Sequence, residues 1–263
     1  MIEYDLVMSG SGVRLPAFVG ALKALEDTHT IKRVCGTSGG SIVAAFIASG
    51  MSLDKIKDLI FGVNFKQYLD RSIIAWWRYG LCKGNKIEKW LNEQLEEKEF
   101  KDLSMPCRII TCDVIKGEVI IFSQETTPNF PVASAVRMSM SIPVLFAYKQ
   151  YGTRWMVDGG VMDNYAIDTF NDNQRPTIGL KLVSNVKKQA PKSFTGYLLA
   201  IFGAMFDASE KAHIGNANWA RTICINTGKI SSIDFNLDDR DKQLLYLTGY
   251  MAAKEWMNTN GKK

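Results

Sequence analysis

The sequence predicts an α/β fold, a three-layer α/β/α sandwich around a mostly parallel central sheet. Two observations predict it. A strand, a glycine-rich turn and a helix follow one another twice near the N-terminus, at 4–25 and at 31–48. Short apolar runs then alternate with helix-spaced apolar positions as far as residue 258, as units of parallel sheet require. Composition is ordinary for a globular chain, 46% hydrophobic and 22% charged. A length of 263 residues suits one domain over 1–263.

The first unit opens with Tyr4-Asp5-Leu6-Val7-Met8, a short apolar strand that runs into Ser9-Gly10-Ser11-Gly12. Leu15, Phe18, Val19, Leu22 and Leu25 then recur at helical spacing. Two readings of the loop compete. Gly10-x-Gly12 could begin a dinucleotide fingerprint, but Leu15 replaces its third glycine and Pro16 follows. Alternatively, the loop from Gly10 through Ser11 and Gly12 to Val13 presents backbone N–H groups to a developing negative charge.

In the second unit, 31–35 reads as a strand and 42–48 as a buried helix. Between them, Gly36-Thr37-Ser38-Gly39-Gly40 has the form Gly-x-Ser-x-Gly. A serine on a sharp strand-to-helix turn is lifted clear of the sheet, and the glycines remove Cβ clashes there. The helix start adds unpaired N–H groups and a positive dipole end. The bland alternative is a glycine-rich turn with an ordinary N-cap serine.

Further along, 51–61 is a short amphipathic helix with Ser52 as N-cap. The stretch 73–81 clusters Trp76, Trp77 and Tyr79 beside Arg78. It is either core packing of a helical insertion or an apolar rim that meets lipid. A helix follows at 85–97, with Trp90, Leu91 and Leu95 inward. Strands at 108–114 and 118–122 flank Lys116-Gly117 as a hairpin. Pro131 opens a helix at 132–138, and 154–157 is a strand leading into Asp158-Gly159-Gly160. An acid at a strand end sits where α/β sites lie, although an Asp-Gly turn is the plainer reading. The remaining elements are a strand at 177–183, a core helix at 196–206, a strand at 220–226 and a closing helix at 238–258.

Bulk properties exclude several classes. No run of 18 apolar residues is present, so no transmembrane helix is expected. Acidic Glu3 and Asp5 stand where a signal peptide would be basic, and a cytoplasmic protein is expected. Five cysteines lack metal-ligand spacing, and Cys35, Cys107, Cys112 and Cys224 read as buried thiols in strands. With two histidines, a zinc site is not expected. A net charge of +5 permits attraction to anionic surfaces without calling for nucleic acid.

Four segments, taken in order, resemble the patatin-like phospholipase family: Ser9-Gly10-Ser11-Gly12-Val13-Arg14, Gly36-Thr37-Ser38-Gly39-Gly40, Ser141-Ile142-Pro143-Val144-Leu145-Phe146 and Asp158-Gly159-Gly160. The family's pattern is Gly-Gly-Gly-x-Arg/Lys-Gly, Gly-x-Ser-x-Gly, Ser-x-x-x-Pro-x-x-Phe and Asp-Gly-Gly/Ala. Ser11 and Leu15 depart from it. The resemblance implies an acyl hydrolase with a Ser-Asp dyad, Ser38 as nucleophile and Asp158 as base, acting on phospholipid or other acyl-ester lipid. It implies an oxyanion loop at Gly10–Val13 shaped by Arg14. No cofactor is expected, and no metal, since no cluster of His, Cys or carboxylates has ligand spacing. Trp76, Trp77 and Arg78 are candidate contacts with a peripheral membrane surface, whereas 197–206 reads as core.

Three rivals remain at this point. One is a Ser-His-Asp esterase using His213; His29 looks like a helix-terminal surface residue. Another is a nucleotide-binding module built on the Ser9–Gly12 loop. The last is a lipid-binding protein that keeps the fold without catalysis.

Overall fold

The computed structural model describes residues 1–172, 174–186, 190–213 and 216–260, without the side chains of 206–217. In chain order the elements are β1 (Ile2–Met8), α1 (Leu15–Leu25), β2 (His29–Thr37), α2 (Gly39–Ala48), α3 (Leu53–Gly62), α4 (Ile73–Trp76), β3 (Gly80–Cys82), α5 (Asn85–Gln94), β4 (Cys107–Asp113), β5 (Glu118–Ser123), α6 (Val132–Ser139), β6 (Val144–Phe146), β7 (Lys149–Tyr151), β8 (Arg154–Asp158), β9 (Thr177–Val183), α7 (Phe194–His213), α8 (Asn216–Ala220), β10 (Thr222–Asn226) and α9 (Asp239–Asn260).

The main sheet runs β10-β9-β1-β2-β4-β8-β7, with β5 also on β4. From β10 to β4 every pair is parallel. The pairs of β4 with β5 and β8, and of β7 with β8, are antiparallel. Five parallel strands joined by helical crossovers fit the expected α/β class. β3 and β6 form a separate two-stranded parallel ribbon.

Alternation along the strands divides the core. Leu6, Met8, Val34 and Ile109 face the large cluster under α1, α2, α5, α6 and α9. Val7, Cys35 and Ile110 face a smaller cluster made by Tyr165, Ala166, Ile167 and Phe170. All ten residues of α2 are buried, as befits a helix apolar on every side. α8 lies beside the second layer, where Arg221 and Asn218 bond to Asp168.

β4 is what brings the two candidate catalytic segments together. One of its edges carries β5 along its length, Arg108 to Asp113. The other edge is shared. β2 occupies its first half, ending with Thr37 opposite Ile110, and β8 occupies the second, ending with Asp158 opposite Thr111. The two strands therefore run toward each other and stop one register apart.

Of the two readings of 73–81, core packing is excluded for the tryptophans: α4 is one turn long, and Trp76 and Trp77 are 63% and 79% exposed. Three expectations are corrected. The 196–206 helix is not core. α7 packs by one face, through Phe202, while Phe194, Tyr197, Ile201 and Met205 are exposed. It covers a cleft at the end of the sheet, so only one face finds protein. Cys224 is exposed because it points to the open face of edge strand β10, opposite the buried Ile223 and Ile225. His29 opens β2 rather than ending a helix, edge-on to Tyr4 with ring centroids 5.7 Å apart.

Candidate active site

The turn between β2 and α2 places Ser38 at φ 52°, ψ −127°, a backbone region that costs a non-glycine residue about 1–3 kcal/mol and needs outside support. The support is visible. The Ser38 N–H donates to Ser139 Oγ at 2.8 Å, and Ser139 Oγ donates to Ile110 O at 2.6 Å. Ser41 Oγ donates to Ser38 O at 2.5 Å. Thr37 Oγ1 donates to Asp163 O at 3.3 Å. A Cβ on Gly36 would lie 2.5 Å from Gly40 O, so the turn closes only with glycine there.

Ser38 Oγ donates to Asp158 Oδ2 at 2.6 Å. The other carboxylate oxygen, Oδ1, accepts the Gly160 N–H at 2.8 Å, in the turn that Gly159 and Gly160 begin. The Asp158 N–H is held by Ser141 O at 3.0 Å. Both side chains are buried. Burial pushes the Asp158 carboxyl up to about 7, against the hydrogen bonds from Ser38 and Gly160, which favour the charged form. A carboxyl raised to this degree is a usable base near neutral pH.

The loop after β1 lies against this pair. A Cβ on Gly10 would sit 3.4 Å from Ser38 Cβ, and one on Gly39 would meet Gly12 O and Ser11 Oγ at 2.3 Å. Gly12 itself has φ +57° and faces Ser232 O. Not all four N–H groups of the loop are available. Gly10 N–H donates to Asn164 O and Val13 N–H to Ser232 O, each at 3.0 Å. Among the described residues those of Ser11 and Gly12 have no acceptor. Arg14 braces the loop from behind: Nε donates to Ser11 O at 3.1 Å and a terminal nitrogen to Thr227 Oγ1 at 2.9 Å. The start of α2 at Gly39 adds its positive end to the same place.

Ser38, Gly10, Gly12 and Arg14 open onto a cavity of about 390 Å³. Its walls mix apolar side chains, Ile142, Leu182, Leu199, Phe202 and Ile233, with Ser184, Ser231 and Ser232. This is the size and character of a small-molecule site.

The structure thus gathers Ser38, Asp158 and the 10–14 loop, and leaves Trp76, Trp77 and Arg78 outside that cavity. His29 is at the end of β2 remote from Ser38. The side chain of His213 lies outside the described residues. Sequence reasoning passed over Ser139, Asn164 and Thr227. Ser139 had a signal: counted back four from Pro143, it and not Ser141 fills the serine of Ser-x-x-x-Pro-x-x-Phe. Asn164 and Thr227 act through backbone oxygen and a distant loop, and no local pattern marks them.

Known proteins resemble this arrangement. A model of patatin-like phospholipases matches residues 6–171. The probable lipid hydrolase 463L of Invertebrate iridescent virus 6 is 28% identical over 183 aligned residues, covering 62% of this chain and 61% of that protein. The crystal structure of VipD from Legionella pneumophila superposes with a TM-score of 0.70 over 98% of this chain and 67% of its own, at 17% identity, a likeness of fold. The uncharacterized protein YqhO of Bacillus subtilis is 36% identical over 287 residues, 96% of this chain and 98% of YqhO. A family match over most of the chain, and a relative more than a third identical along nearly all of it, establish that this chain belongs to the patatin-like phospholipase family.

Proposed function

We propose that the protein is a lipid acyl hydrolase of the phospholipase A type, acting at membrane surfaces through Ser38 and Asp158. The observation that carries this reading is the 2.6 Å hydrogen bond from Ser38 Oγ to a buried carboxylate, on a strained turn that opens into a cavity partly walled by Leu182, Leu199 and Phe202. A serine hydroxyl needs an adjacent base to attack an ester at neutral pH.

As Ser38 Oγ bonds to the ester carbonyl carbon, its proton passes to Asp158 Oδ2. The carbonyl oxygen becomes an oxyanion and accepts from the N–H groups of Ser11 and Gly12. Each such donor contributes about 3 kcal/mol to transition-state stabilisation. Collapse breaks the bond to the alcohol, which leaves with the proton from Asp158. Water then gives a proton to Asp158 and attacks the acyl-serine. The fatty acid departs and Ser38 regains its proton. Leu182, Leu199 and Phe202 are placed to hold the acyl chain, and transfer of each CH₂ out of water favours that by about 0.8 kcal/mol. Trp76, Trp77 and Arg78 are exposed and suit the headgroup boundary of a bilayer.

The test is a lipid profile of phospholipid vesicles before and after incubation with the wild type and with Ser38→Ala. Free fatty acid and lysophospholipid should accumulate with the wild type alone. Vesicles left unchanged by the wild type would refute the reading.

A further inference from the structure

A second cavity, of about 300 Å³, lies between α4 and α5, apart from the one that holds Ser38. Its polar lining includes Arg78, Lys83, Arg137 and Lys149, against one carboxylate, Glu88. Glu88 is already engaged, pairing with Lys149 and accepting from Ser134 Oγ at 2.6 Å. Asp70, the nearest other acid on this side, accepts the N–H groups of Gly84, Asn85 and Lys86. Arg137 is a fixed wall: its donors go to Gly84 O, Lys83 O, Ala147 O and Ser141 Oγ. Arg78 and Lys83 have no carboxylate within ion-pair distance among the described residues. Two cations without partners thus line a recess that already holds an excess of positive charge. Like charges so placed repel, and an anion between them relieves that repulsion.

The recess adjoins the exposed apolar turn. Ile74 of α4 lines it, and Trp76 and Trp77 are next in sequence. Its other wall leads back to the candidate active site. Arg137 donates to Ser141 Oγ, Ser141 O accepts the Asp158 N–H, Ile142 lines the Ser38 cavity and Ala147 lines this one. The two cavities are therefore back to back across residues 141–147.

We infer that this recess binds the phosphate headgroup of an anionic phospholipid while Trp76 and Trp77 enter the bilayer beside it, so that a lipid which is not the substrate orients the protein. The inference rests on the membrane-surface reading above and adds the lipid class and the residues that select it. Tryptophan favours the interfacial layer, and each cation near an anionic surface adds about 1 kcal/mol.

The experiment measures binding rather than turnover, so failure of the catalytic reading leaves it intact. Ser38→Ala protein is sedimented with phosphatidylcholine vesicles, with and without phosphatidylglycerol. Phosphatidylglycerol should strengthen binding at least tenfold. Arg78→Gln with Lys83→Gln should remove that gain, a loss of about thirtyfold by the same per-charge figure, and Arg78→Lys with Lys83→Arg should keep it. Melting temperatures of all variants confirm that they fold. Equal binding by the glutamine variant and its parent overturns the inference. So does displacement from the vesicles by millimolar inorganic phosphate, which identifies a site for the free ion. Sedimentation as a dimer that dissociates on Trp76→Ala with Trp77→Ala also overturns it, since the apolar turn then serves a second copy.

Discussion

Ser38 and Asp158 are 120 residues apart in the chain, yet they stand at the facing ends of two strands laid on one edge of β4. Their separation is thus set by backbone pairing rather than by side-chain reach. Thr37 is fixed opposite Ile110, and Asp158 opposite Thr111. Side chains mounted on a rigid sheet in this way hold a reactive geometry more closely than loops do.

Ser38→Ala should abolish ester hydrolysis with little change in melting temperature, because only one hydroxyl is lost. A fluorophosphonate probe should label the wild type and not the variant. Labelling that persists at another serine would refute the assignment.

Asp158→Asn should lower kcat by about 10²–10⁴, the range for loss of a general base, while His29→Ala and His213→Ala keep near-normal rates on a soluble ester. A hundredfold loss with His213→Ala would instead favour a triad.

Activity and stability should respond oppositely to pH. The base works when deprotonated, so kcat/KM should rise as pH passes through about 7, the value to which burial raises Asp158. For stability, the folded state holds its proton more tightly than the unfolded chain, whose carboxyl has its ordinary value of 3.8. That contribution is fully present below 3.8 and is lost as pH rises to about 7, an effect on the order of 4 kcal/mol. Asp158→Asn should therefore melt higher than the wild type at pH 8, with the gap closing in acid. A flat difference across pH would show that the carboxyl titrates normally.

Gly39→Ala should lower kcat by about a hundredfold or more, because its Cβ would lie 2.3 Å from Gly12 O and displace the N–H groups proposed for the oxyanion. KM for a short ester should move far less. Equal losses in Gly39→Ala and in a Gly62→Ala control, where nothing crowds the new Cβ, would point to general destabilisation.

Ser139→Ala removes the acceptor of the Ser38 N–H. An unsatisfied buried donor costs about 1–3 kcal/mol, and the strained turn has less to hold it. Lower stability and a slower rate of probe labelling should appear together, and Ser139→Thr should recover part of both.

Much of this was legible in the sequence because it depends on local patterns. The helix at Val132–Ser139, the hairpin around Gly117, the Ser52 cap and the strand at Thr177–Val183 each follow from spacing and turn residues. Ser38 and Asp158 could be named as candidates because their glycine-flanked motifs, taken in order with the other two, resemble those of the family; the Asp158-Gly159 turn alone would not single out Asp158. What failed was the fate of the apolar helix at 196–206. Tyr197 and Ile201 look like core by composition, and they are exposed because that face of α7 has no neighbour among the described residues. No periodicity records that. Which of the loop's N–H groups stay open was also beyond reach of the sequence, since the partners that occupy Gly10 and Val13 come from Asn164 and Ser232.

The shared edge of β4 also sets the order in which the molecule acquires its chemistry. During synthesis the serine turn emerges early, with β1, β2 and α2 around it. The proposed base, Asp158, arrives only when residues 154–158 close an antiparallel pair on strand positions left open until then. Long-range closure of this kind is slow relative to local helix formation. On the mechanism proposed above, a chain whose β8 has not yet paired lacks its base, and the rate at which Ser38 becomes reactive toward a phosphonate should measure completion of the sheet itself.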